Sequence, residues 1–162
     1  MDGSMEWLSM SAFARAMRDI VWLWPALESI HFIGLALVIG AAGYLDLRLM
    51  GFMRGVPVRA VKAFIPWAMA GFAMNLVSGM LFFIMAPEMY AFSVAFWSKM
   101  AFILIAGGNA MAFETFLGQR VLALGPDEDT PMPMKIVGGV SLFSWFAVLY
   151  LGRMLPYIGT GN

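Results

Sequence analysis

The chain has no cysteine and a single histidine. Without a thiol there is no disulfide, thiolate metal site, iron–sulfur cluster or covalent c-type haem attachment, so any cofactor is held by other ligands. Charge is scarce too: 12% of residues are charged, ten of each sign. They are dispersed, and no basic surface of the kind nucleic acid requires is formed, so nucleic acid is excluded as a partner. No Ser/His/Asp triad, paired-carboxylate site, phosphate loop or dinucleotide fingerprint is recognisable, which leaves hydrolase and nucleotide chemistry without support.

What is abundant is apolar. Hydrophobic residues make up 62% of the chain and the mean hydropathy is +0.82, against roughly 45–50% apolar and 25% charged residues in a soluble domain. The 162 residues accommodate several spans of about 20 residues with short connections and no second soluble domain. Helices satisfy every backbone group in lipid with segments of this length. The expected fold is therefore all-α, an integral membrane four-helix bundle preceded by a short interfacial amphipathic helix. It forms one transmembrane domain over residues 1–162.

Hydropathy sets the spans at about 20–45, 61–85, 95–117 and 136–158. The first stops at Asp46 and Arg48, the second at Ala86-Pro87-Glu88, and the Pro- and acid-rich stretch from Gly125 to Pro131 reads as a loop. Ahead of them, about residues 5–20 carry Trp7, Met10, Ala14, Met17 and Val21 at helical spacing, opposite Ser11, Arg15, Arg18 and Asp19. That pattern suits a helix lying on the bilayer. The apolar run that follows exceeds the roughly 7–15 residues of a cleavable signal core, so it reads as a permanent span. Arg48, Arg54, Arg59, Lys62, Arg120 and Lys135 gather where spans 1–2 and 3–4 join, which predicts that side to be cytoplasmic in a bacterial inner membrane. Both termini are then periplasmic, although Arg15 and Arg18 lie at the opposite end.

His31 falls inside the first span. A charged side chain at membrane depth costs about 2.5–3.5 kcal/mol on insertion scales, so ionisable residues there usually bind or move something. With a rise of about 1.5 Å per residue, His31, Glu28, Asn75, Ser78, Lys99 and Arg153 share the outer half of the bundle. Each has a plain structural role as well. Asn75 and Ser78 suit interhelical hydrogen bonds, Glu28 an ion pair, and Lys99 and Arg153 snorkelling to the interface. His31 can bond a carbonyl or Asn75. The pairs Gly107-Gly108 and Gly138-Gly139 allow close helix approach or room for a flat ligand. The 16 methionines are spread through spans and loops, as gap-fillers are, rather than grouped for copper.

Two stretches resemble known membrane proteins. The run from Glu28 through His31, Gly34 and Gly40 to Asp46-Leu47-Arg48, and the run Phe96-Trp97-Ser98-Lys99 continuing to Asn109, are similar to segments of the HemJ-type protoporphyrinogen oxidases and the CopD-type copper-resistance membrane proteins. The whole chain resembles a bacterial family of small four-helix membrane proteins of unassigned function. The HemJ resemblance implies that His31 and Lys99 ligate a b-type haem. Arg153 would then pair with a propionate, Glu28 would orient the other imidazole nitrogen as an acceptor, and Asn75 would belong to the surrounding polar shell. The further histidines of the HemJ type have no counterpart near Arg48 or Asn109, which weighs against its oxidase activity. The expectation is a haem b protein transferring electrons in the outer half of the bilayer, with a quinone or a redox protein as partner and lipid or other subunits around it. The alternatives are a non-enzymatic membrane subunit or small transporter and, more weakly, HemJ-like porphyrinogen oxidation.

Overall fold

The computed structural model describes residues 7–125 and 127–158. The described residues form helices and loops, and four helical segments are long and apolar enough to cross a membrane. The chain is a multi-pass membrane protein built as a four-helix bundle. In order the helices are α1 (Ala12–Asp19), α2 (Leu23–Leu49), α3 (Val58–Lys62), α4 (Ile65–Met85), α5 (Pro87–Ala91), α6 (Val94–Phe116), α7 (Gly118–Leu122) and α8 (Met132–Ile158).

The spans α2, α4, α6 and α8 pack along seams whose buried or half-buried positions alternate by three and four residues. On α2 the seam is Leu27, His31, Gly34, Val38, Ala41 and Leu45; on α6 it is Ala95, Lys99, Phe102, Ala106, Asn109 and Phe113. This spacing keeps one face of a helix on its neighbour, as in left-handed membrane bundles. Extensive packing joins α2 to α4, α6 to α8 and α2 to α8, whereas α4 and α6 do not pack along their lengths. The bundle is a series α4–α2–α8–α6 with one side left open.

The two ends of that side are nonetheless fastened. Phe83 and Phe96 meet at the end that carries α1, with ring centroids 5.7 Å apart. At the other, basic end, Lys62 Nζ pairs with Glu114 at 2.8 Å and stands 5.8 Å from the Phe113 ring centroid. The basic end is also filled by a core of Leu45, Leu49, Val58, Val61, Phe113, Val121 and Met134.

Several boundaries differ from the sequence expectation. The first span continues through Asp46 and Arg48 to Leu49 because both side chains are buried and served by neighbours rather than by water. Arg48 Nε donates to the Val56 carbonyl at 2.8 Å and Nη1 to Thr130 Oγ1 at 3.2 Å, tying together the two basic-end loops. The second span is interrupted between α3 and α4 at Ala63 and Phe64. Pro66 lacks the N–H that would bond the Lys62 carbonyl, and its ring crowds that carbonyl. The fourth span begins earlier, at Met132, since Pro133 is tolerated in a first helical turn.

The interfacial helix is interrupted: residues 7–9 are helical, and the helix breaks at Met10 and Ser11 before α1. Ser11 Oγ accepts from Ala14 N at 3.1 Å and caps α1; Met5 lies outside the described residues. The anticipated apolar stripe splits: Ala14 and Met17 are buried against the bundle, while Trp7, Met10 and Val21 are exposed. Arg18 leaves the polar side to donate to the Met85 carbonyl at 3.0 Å and to Ser9 O, neutralising carbonyls at the C-terminus of α4.

Candidate functional site

At the α1 end, His31 projects from the α2 seam onto α4. Its Nδ1 lies 2.7 Å from Ser78 Oγ, which lies 2.7 Å from the Met74 carbonyl oxygen. The carbonyl has no proton to give, so the Ser78 hydroxyl donates to it; the proton between Ser78 and the imidazole then comes from Nδ1. In that assignment, which counts the 3.3 Å approach of Asn75 Nδ2 to Nδ1 as no hydrogen bond, His31 is the Nδ1–H tautomer and Nε2 has no protein donor among the described residues.

Asn75 holds the backbone behind the ring. With both amide atoms satisfied, Nδ2 donates to the His31 carbonyl at 2.7 Å and Oδ1 accepts from Leu35 N at 3.0 Å; the 3.3 Å approach of Nδ2 to Nδ1 is the longer contact. One turn further along the seam, Gly34 and Gly71 bring the two helices together. A Cβ on Gly34 would stand 2.8 Å from the Gly71 carbonyl oxygen, and one on Gly71 would stand 2.5 Å from that of Gly34. Backbones this close place Asn75 and Ser78 within reach of His31.

Aromatic rings roof the imidazole. Phe82 meets His31 edge-on at 5.8 Å and Trp24 at 5.1 Å, while Phe83, Tyr90 and Phe96 touch one another at 5.7–6.3 Å. Burial first, and then the Glu28 carboxylate, hold the Tyr90 phenol above its usual range. Beside the ring the wall is thin. A Cβ on Gly79 would stand 3.9 Å from His31 Cε1, so this glycine places no side chain against the Cε1 corner of the ring.

Lys99 occupies the α6 seam at the same end, over Gly152 of α8, where an added Cβ would stand 3.4 Å from Nζ. It is close enough to His31 for its charge to act on the imidazole, and no described residue accepts a hydrogen bond from it. The remaining sequence candidates are not brought to the ring. Glu28 accepts from Trp24 Nε1 at 3.1 Å on the exposed side of α2, so Ser78 rather than Glu28 orients the imidazole. Arg153 is exposed and makes no polar contact among the described residues.

Sequence reasoning passed over Gly79 and Gly152, which make room, and Phe82, which supports the ring. The signal was present in the seam itself: His31, Asn75, Ser78 and Lys99 fall at positions where the same helices bury small or apolar residues. It also read Asp46 and Arg48 only as topology markers. Both are buried; Asp46 Oδ2 and Arg48 Nη2 have no partner, although Ser141 hydrogen-bonds the Asp46 carboxyl.

Among the described residues, no three His, Asp or Glu side chains gather as a metal site. On the seams at this end, the side-chain nitrogens left without a protein partner among the described residues are His31 Nε2 and Lys99 Nζ. No curated protein and no solved structure matches the chain. The lone intramembrane histidine, the Asp-Leu-Arg end of the first span and the four-helix arrangement occur within a sequence that matches one family from residue 6 to residue 158, and the chain belongs to that family, DUF6644, a family of unknown function.

Proposed function

We propose that this protein binds haem b in the half of the bundle nearest α1, where His31 Nε2 and Lys99 Nζ would hold it, and passes single electrons to or from a quinone or redox protein. The observation that carries this reading is the 2.7 Å contact of His31 Nδ1 with Ser78 Oγ, which supports an Nδ1–H tautomer. Ligating histidines almost always donate their second ring N–H to a fixed acceptor, which sets ring orientation and raises basicity. Ser78, committed through its own proton to Met74, is such an acceptor. The resemblance of the His31 and Lys99 stretches to HemJ-type and CopD-type proteins points the same way.

Haem would supply the one-electron chemistry, its potential tuned by axial ligands and burial. The protein's own residues do the rest. Ser78 fixes His31, Gly79 and Gly152 leave space beside the two ligands, and Phe82 with Trp24 excludes water from above. Lysine ligates only as the free amine; Arg153 is then the cation left to meet a propionate.

Asn75 favours a second reading, a non-enzymatic membrane subunit, because its amide is wholly used in joining α4 to the α2 backbone. Visible spectroscopy separates the two. Protein purified after haem-replete expression should show a Soret band that His31→Ala abolishes and that Ser78→Ala retains with haem affinity lowered about 10–100-fold, the usual range for losing such a partner. A colourless parent protein, with His31→Ala merely less stable, would establish the structural role instead.

A further inference from the structure

The arrangement of the helices says how a ligand would reach a chamber beside His31 and Lys99. At the basic end, residues of all the principal helices close into one apolar core. At the α1 end, the aromatic contacts from Trp24 to Phe96 and the Met17, Leu27, Phe82 and Met85 cluster lie over it. On two further sides α2 packs on α8 and α8 on α6. The remaining side, between α4 and α6, is open.

Phe96 and Glu114 mark the α6 face that looks toward α4, since they meet Phe83 and Lys62 at its two ends. Between them, on the same face, lies Gly107, where an added Cβ would touch nothing within 4 Å. On the opposite wall Gly79 lies beside His31 Cε1 and puts no side chain against it. Hydrocarbon tails filling this opening would leave His31 Nε2 and Lys99 Nζ without partners, which is costly in a medium that forms no hydrogen bonds. The occupant therefore carries groups that engage a neutral imidazole and an amine, and is apolar enough to arrive through lipid.

We propose that haem enters and leaves this chamber sideways, from the bilayer core, through the opening between α4 and α6 rather than from either aqueous face. The inference rests on the haem reading above and adds the route: the protein takes its haem from the pool dissolved in the membrane. Spreading of α4 from α6 at the level of Phe83 and Phe96 admits the ligand, and these rings stand one helical turn from Gly79 and Lys99.

A cysteine-free chain makes the test clean. Phe83→Cys with Phe96→Cys, in vesicles, is bridged by a short reducible bis-thiosulfonate before or after adding hemin, and uptake is followed by the Soret band. Bridging first should slow uptake at least about tenfold, as expected when helix separation gates access. Reduction should restore the rate, and bridging after loading should slow haem release to added apomyoglobin. Equal uptake and release in bridged and unbridged protein, with a coloured parent, would overturn the route alone. A parent protein that takes up no hemin would overturn the haem reading and the route with it.

Discussion

Several charged side chains in this molecule are held by protein neighbours. Arg48 is fully buried yet faces no carboxylate; two of its nitrogens meet Val56 O and Thr130 Oγ1. Breaking such an arrangement would leave a buried charge uncompensated. Outside the spans, Asp129 gathers Lys135 Nζ at 2.9 Å, Arg54 Nη2 at 3.3 Å and the Thr130 N–H at 2.9 Å. The hydrogen bond from Lys135, with the Arg54 charge, holds its carboxyl below the usual range. A carboxyl whose folded pKa is depressed contributes stability that is complete above its unfolded value of about 3.9 and is lost as pH falls through the folded value. Acidification into that window should release the loop from 127 to 131, read as faster amide exchange at Thr130. Asp129→Asn should exchange fast at neutral pH and show no acid step; an unchanged step in this variant would assign it to another group. The candidate site was only partly legible at this scale. His31 announced itself as a lone ionisable group in an apolar run, but the partner at its Nδ1 is Ser78, and Glu28, favoured by spacing, turns to Trp24. Position along a helix gives depth; which way a side chain turns depends on the packed neighbour, and sequence does not display it.

Glycines set the spacing of the helices, and they do so unequally. The sequence pattern treats Gly107-Gly108 and Gly138-Gly139 alike, but only Gly138 lies in an interface, where a Cβ would stand 2.7 Å from the Asp46 carbonyl oxygen; Gly107, Gly108 and Gly139 have nothing within 4 Å. The tightest crossing, Gly34 on Gly71, belongs to neither pair. Gly71→Ala should therefore push α2 from α4 and cost about 1–3 kcal/mol, the range for overpacking a filled interface. Gly108→Ala should be neutral or stabilising by up to about 1 kcal/mol through helix propensity. Reversible unfolding in mild detergent measures both, and equal effects would contradict the close crossing. If the protein binds haem as proposed, Gly71→Ala should also weaken that binding by displacing Ser78 and Asn75, whereas Gly108→Ala should leave it alone. Element by element, hydropathy placed all four spans, because lipid demands about 20 apolar residues whatever the packing. It misjudged their ends, since Asp46 and Arg48 read as polar stops until the loops that cover them are known, and Pro66 breaks a span that remains continuously apolar.

At the scale of the whole molecule, the orientation decides which side of the membrane the chamber faces. The basic end carries Arg48, Arg54, Arg59, Lys62, Arg120 and Lys135, and the α1 end Arg15, Arg18, Lys99 and Arg153. Folding later buries Arg48 and pairs Lys62 with Glu114, but topology follows the number of Lys and Arg beside the spans, to which acidic partners contribute little. The opposing pair is also weakened as an inward signal, since Arg18 is held on the Met85 carbonyl and α1 lies against the bundle. By that count the expected orientation in a bacterial inner membrane has the basic end in the cytoplasm, which would leave His31 and Lys99 in the outer leaflet, within reach of a periplasmic redox protein. Single thiols test it without background in a chain that lacks cysteine. Val21→Cys replaces a residue 88% exposed beside α1, and Phe52→Cys one 57% exposed in the loop after α2. An impermeant maleimide added to spheroplasts should label Val21→Cys at once and Phe52→Cys only after permeabilisation. The reverse pattern would put the chamber in the cytoplasmic leaflet and require the electron partner to be a quinone or a cytoplasmic protein.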